Sequence, residues 1–286
     1  MPILRKFPFG GQRLPILLAL TAFFCILGAT SAQAGIYYEA VTTVEKGPGS
    51  STVRAWLEGD KAHIEFTDSD VPQVEKGNYL LTNDGGKTFF MVNPSEKTYM
   101  HWDMSQVMSM LEGMSALVSF DIENTSVEKL EEKAGKTILG HDTRYVRFES
   151  SFDMKVKIMG MKRTSSTKST QEVWVTDAFD IDALSAWVKG FRSSGSKEMD
   201  ELLEQSMSAV DGFPLESITV SVTTDKKGRE TVSRSVTKVK EVREEKVDSA
   251  RFEMPAGYQE IQMIPESEDG EGGNPLKGLF GRKNKG

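Results

Sequence analysis

Tyr79-Leu80-Leu81-Thr82, Asn83-Asp84-Gly85-Gly86 and Thr88-Phe89-Phe90-Met91-Val92 decide the class of fold. Two runs of β-favouring residues flank a turn whose Asn, Asp and Gly residues tolerate positive φ, which is the signature of a hairpin. Pro94 to Lys97 closes a second turn, and Thr98-Tyr99-Met100-His101-Trp102 returns as a third strand. In all three strands the apolar residues occupy both alternating faces. An ordinary antiparallel sheet keeps one face wet, so here both faces must be covered.

Upstream the same pattern continues. Ile36, Tyr38, Ala40 and Val44 alternate with Glu39, Thr43 and Glu45. Val53, Ala55 and Leu57 lead into a Gly59-Asp60 turn, and Ala62, Ile64 and Phe66 alternate with His63 and Glu65. Period-two alternation of this kind reads as half-buried strands in a meander.

Downstream, elements able to cover the sheet appear. Asp103 is a helix N-cap, and Met104, Val107, Met108, Leu111, Met114 and Val118 recur at helical spacing. A second helix is predicted from Asp180 to Phe191, with Ile181, Leu184, Trp187 and Val188 on one stripe. A third is predicted from Ser196 to Val210, with Met199, Leu202, Leu203 and Met207 on one side, ending at Gly212-Phe213-Pro214. Further strands are expected at Asp121–Glu132, Thr137–Ile138, Tyr145–Glu149, Met154–Met161 and Glu172–Thr176. Ile218–Thr223 and Thr231–Val239 form a hairpin about Asp225–Gly228, and the hydroxyl-rich Thr164–Thr167 reads as a polar loop.

The ends differ in composition. Arg5, Lys6 and Arg13 precede the apolar run Leu14–Gly28, and Ala32-Gln33-Ala34 is a small-x-small cleavage pattern, so residues 1–34 read as a cleaved secretory signal. The run is shorter than the roughly 20 residues of a membrane span, so no spanning segment is expected in the mature chain. Residues 35–263 form one domain. Residues 264–286, Gly-rich with an acidic and then a basic block, lack the apolar content to fold.

These boundaries change the composition. Of 286 residues, 252 remain after cleavage, with 32 Lys and Arg against 42 Asp and Glu, and Cys25 leaves with the signal. Without cysteine there is no disulfide framework, thiol nucleophile or zinc ribbon. The acidic balance disfavours nucleic acid, which asks for a basic patch.

Two sets of motifs resemble known families. Trp56-Leu57-Glu58-Gly59-Asp60-Lys61, Tyr79–Thr82 and Asn93–Tyr99 resemble the opening hairpins of the periplasmic lipoprotein carriers LolA and LolB. Ile138–His141, Val173-Trp174-Val175-Thr176-Asp177, Gly212–Leu215 and Phe252–Tyr258 resemble the domain-of-unknown-function 4412 family. The resemblance implies an α+β fold: a strongly curved, incompletely closed antiparallel sheet, a half barrel, with two or three helices covering its concave face. In the carriers that space accepts acyl chains, and the resemblance carries over no catalytic residue.

The chemistry-bearing residues fit a binding protein better than an enzyme. Six methionines fall between Met91 and Met114, several at i, i+4 spacing. Thioethers so spaced suit Cu(I), but Met is also the flexible filler of adaptable apolar surfaces, and no neighbouring Cys or His supports a metal. His63 and Glu65 share a strand face, as two ligands or an acid–base pair would, and a solvated face explains them as well. His101 ends a strand and His141 occupies a turn. No Gly-x-Ser-x-Gly elbow or phosphate-cradling glycine loop occurs. Asp68/Asp70 and Asp180/Asp182 read as turn and cap residues, and the Asn124-Thr125-Ser126 sequon is discounted in a sequence of bacterial character.

The expected function is therefore that of a non-enzymatic periplasmic protein holding an acyl chain or another apolar small molecule or lipid, without cofactor or metal. Phe89, Phe90, Met91, Met104, Met108, Leu111, Trp174 and Trp187 are the expected lining. An envelope scaffold with a dry core, docking another envelope protein, is the alternative, and copper handling comes third.

Overall fold

A computed structural model describes residues 35–72, 74–103, 118–158, 161–179 and 197–261. The first meander consists of β1 (Gly35–Val44), β2 (Ser51–Glu58), β3 (Lys61–Ser69), β4 (Tyr79–Thr82), β5 (Thr88–Asn93) and β6 (Thr98–Asp103). The second consists of β7 (Val118–Ala134), β8 (Arg144–Ile158), β9 (Met161–Thr176), β10 (Phe213–Asp225) and β11 (Glu230–Glu245). Helix α1 (Lys197–Ser208) lies between β9 and β10, and a 3₁₀ turn at Ser249–Phe252 leads to the short β12 (Gln259–Glu260).

All twelve strands make one sheet, in the order β12-β6-β5-β4-β3-β2-β1-β11-β10-β9-β8-β7. β1 joins the two meanders by pairing with β11, Ile36 opposite Glu244 and Val41 opposite Lys238. Every pairing is antiparallel except β12 with β6. Among the described residues β12 and β7 have no second neighbour, and the sheet is open and curved, in line with the half-barrel expectation.

Both faces of the sheet are covered. On one, Ile36, Ala40, Leu57 and Ala62 pack with Phe179, Phe213, Leu215 and Val239. The same face continues to Val146, Phe148, Val173 and Val175, which pack with Ala209 just beyond α1. On the opposite face Tyr37, Trp56 and Leu81 pack with Val247 and Phe252, brought over the sheet by the chain after β11. The two-faced apolar strands of the first meander follow from this double cover.

Several sequence expectations need correction. α1 is the only α-helix among the described residues; residues 104–117 of the first expected helix and all of Asp180–Phe191 lie outside them, as do residues 1–34 and 262–286, while the expected N-cap Asp103 ends β6 and Val118 opens β7. Two or three helices are therefore not borne out. Tyr145–Glu149 and Met154–Met161 belong largely to one long strand, β8. Thr164–Thr167 is strand within β9, not loop. Hydroxyl side chains suit either state when read locally. Cross-strand bonds decide for strand: Thr167 to Thr223 at 3.1 Å and Ser169 to Ser221 at 2.8 Å. Thr137–Ile138 makes only an isolated bridge, Ile138 to His141, across a turn at Leu139 and Gly140.

Candidate functional site

α1 has an acidic first turn, Glu198 and Asp200, which suits the positive end of the helix dipole. Its stripe of Met199, Leu202, Leu203 and Met207 faces the sheet, with Leu202 buried. The helix does not seal against the strands. Between them lies a cavity of about 720 Å³, walled by Phe148 and Val173 from the sheet and by the α1 stripe. That volume falls within the ~300–1,000 Å³ of small-molecule sites, and an apolar wall with few polar groups is their usual composition. Ser150, Gln171, Ser206, Ser208 and Ser217 supply the neutral polar groups, and Asp211 supplies a carboxylate.

The turn after α1 positions this wall. Gly212 adopts φ of +115°, and a Cβ there would stand 3.0 Å from Asp177 Oδ1 and 3.1 Å from the Thr176 carbonyl. Only glycine brings the chain this close to the end of β9 while directing Phe213 into the core.

The structure divides the expected lining. Phe89 and Met91 lie on the helix-bearing face of β5, Phe89 fully buried and Met91 opposite Leu80 of β4, which in turn pairs with Ile64 of β3. Phe90 alternates to the opposite face, near Tyr99 and His101 at ring separations of 6.2 and 5.9 Å. Trp174 also lies on that opposite face, under Lys136 Nζ at 4.4 Å and beside Tyr145 at 5.1 Å. None of these four lines the α1 cavity. Met104, Met108, Leu111 and Trp187 lie outside the described residues. Of the residues that do line it, Met199, Leu202, Leu203 and Met207 stand in the stripe of the third predicted helix and Phe148 and Val173 in predicted strands, whereas Phe152 and Gln171 fall in no predicted element.

A second cavity of about 720 Å³ lies on the opposite face, between β3, β4 and the segment after β11. It contains His63 and Glu65, which share a face as expected, yet this face is not simply solvated. His63 Nδ1 donates to the Arg251 carbonyl at 2.8 Å, and its ring stacks on Tyr79 at 4.3 Å. The Arg251 guanidinium lies 3.8 Å over the Trp56 ring, and Glu65 pairs with Arg54 at 3.2 Å. His63 and Glu65 thus hold different partners rather than each other. His101 pairs with Glu260 at 2.6 Å, and His141 meets the Phe179 ring edge-on at 4.9 Å. Asp70 accepts from the Gly49 and Ser50 amides, a loop-closing role.

Burial lowers the His63 pKa from its ordinary 6.5, against the opposing effects of its bond to Arg251 and the charge of Glu65. The unfolded chain therefore binds a proton at His63 more readily than the folded one. The stabilisation is full above 6.5 and is lost as pH falls below it. Amide protection at Arg251 to Glu253 should drop between about pH 7.5 and 5, while His63→Gln should flatten that dependence. Equal pH dependence in both proteins would remove His63 as its origin.

Residues 40–258 match the family described as a domain of unknown function, DUF4412. No curated protein matches the chain in sequence. Among solved structures it is similar to PNGF-II at 13% identity and a TM-score of 0.32, covering 80% of this chain and only 31% of that one. A DUF1329 family protein from Desulfovibrio piger matches at 14% identity and TM-score 0.29, over 84% of this chain and 97% of the other. A candidate outer membrane lipoprotein-sorting protein domain from Vibrio parahaemolyticus matches at 14% identity and TM-score 0.27, over 78% and 90%. The family match begins inside β1 and ends at Tyr258, just before β12, and so takes in both meanders, α1 and the segment that covers the opposite face: the chain belongs to the DUF4412 family.

Proposed function

We propose that this is a non-enzymatic binding protein of the bacterial envelope that holds an apolar ligand, such as an acyl chain, between α1 and strands β8 to β10. The supporting observation is the 720 Å³ cavity, whose walls are Phe148 and Val173 on one side and Met199, Leu202, Leu203 and Met207 on the other. Flexible methionines and leucines on a helix adapt to chains of varied shape. The apolar run and cleavage pattern before Gly35 fit export.

Native mass spectrometry of the protein purified without detergent should reveal a non-covalent adduct that organic solvent extracts. Nile red should bind with enhanced emission. Leu203→Trp, which fills the cavity from the helix side, should weaken Nile red at least tenfold while leaving far-ultraviolet circular dichroism unchanged. Absence of any adduct together with unaltered Nile red affinity in Leu203→Trp would overturn the reading.

A further inference from the structure

The helix-bearing face changes character along its strands. On β8 it runs Val146, Phe148, Ser150 and then Phe152, which also lines the cavity; on β9 it runs Val175, Val173, Gln171, Ser169, Thr167; on β10 it runs Ser217, Thr219, Ser221, Thr223, so the hydroxyl band belongs to β9 and β10. The apolar end lies against Ala209 and Val210, and the hydroxyl end begins where Gln171 and Ser150 enter the cavity wall. Beyond them the hydroxyls pair across strands, Ser169 with Ser221 at 2.8 Å and Thr167 with Thr223 at 3.1 Å. A hydroxyl donates once and accepts twice, so each mutual pair keeps one free donor and spare acceptors. Among the described residues no Lys, Arg or His lines the cavity: its one charged lining residue, Asp211, follows Val210 at the apolar end, and Glu201 and Glu204 on α1 are exposed, with Glu201 paired to Lys197 at 3.6 Å.

We infer that the ligand of this cavity is an acyl chain joined to an uncharged, hydroxyl- or ester-bearing polar group, of the class of a neutral glycerol ester. This rests on the binding-protein reading above. The chain lies against Phe148, Val173 and the α1 stripe. The polar end meets the band of Gln171, Ser150, Ser169 and Ser221, whose neutral donors and acceptors match ester and hydroxyl oxygens. A carboxylate or phosphate end would meet no cation in the described lining, so its charge would be desolvated without a partner.

The test compares two ligands of equal chain length, monodecanoylglycerol and decanoate, displacing Nile red from the purified protein at pH 8, where decanoate is ionised. Monodecanoylglycerol should compete at least tenfold better. Ser206→Lys, which places a cation on the cavity side of α1, should strengthen decanoate and narrow the ratio, while Ser169→Ala/Ser221→Ala should weaken only the glyceride. Decanoate competing as well as or better than the glyceride in the unaltered protein would overturn this inference and leave the binding-protein reading standing. Failure of both ligands to displace the probe, with no adduct in native mass spectrometry, would overturn both.

Discussion

Phe213→Ala should lower the stability of the domain by about 3–5 kcal/mol, the usual loss for a large aromatic removed from a packed core. Phe213 is 2% exposed, with its ring 5.5 Å from Phe179 and 5.7 Å from Tyr38. It sits where β10 leaves the turn after α1, and it ties β1 of the first meander to β10 of the second. A domain of ordinary stability has roughly 5–15 kcal/mol in total, so the variant should fold marginally. The melting temperature should fall by roughly 6–20 °C, at about 2–4 °C per kcal/mol for a chain of this size. Phe90→Ala, at a half-buried position, serves as the comparison and should lose much less. A loss below about 1 kcal/mol at Phe213 would show that the two meanders do not depend on this contact.

Gly212→Ala should destabilise the protein and disturb the cavity together. Its φ of +115° is one that side chains rarely adopt, and the added Cβ would press on Asp177 Oδ1 at 3.0 Å, the Thr176 carbonyl at 3.1 Å and Val175 Cβ at 3.3 Å. Strain of this kind costs about 1–3 kcal/mol. Relief requires the turn to move away from β9, carrying with it Asp211 and Pro214, which both line the cavity. Nile red affinity should fall in the folded variant by a larger factor than in Gly228→Ala. Gly228 is also at positive φ, but it has open space around its Cβ position and lies in the distal β10–β11 turn. Equal effects of the two substitutions on binding would mean that Gly212 acts only through general stability.

The hairpins of the first meander were legible because two local signals agree: period-two alternation and Gly-containing turns. Gly59, Gly85 and Gly86 all adopt positive φ where the turns were placed. The helix at Lys197–Ser208 was legible from its stripe and its glycine stop. The length of β9 was not, because Thr164 to Thr170 gives no hydrophobic period and only its neighbours β8 and β10 supply partners for its backbone and hydroxyls. The lining divided for a related reason. Where both alternating positions are apolar, as at Phe89, Phe90 and Met91, periodicity states that they alternate and cannot state which side meets the helix.

The sequence by itself determined the strand-and-turn order, the amphipathic stripe of α1, the acidic and cysteine-free character of the chain from Gly35 onward, and membership of its family. Tertiary structure alone decided that β1 closes against β11, that His63 lies beneath the Arg251 carbonyl 188 positions away, and that α1 leaves a cavity against Phe148 and Val173. Local periodicity reports only which residues share a face within one element. Contacts between distant segments depend on sheet order and register, and whether a helix packs tightly or leaves room depends on the shape of both surfaces at once.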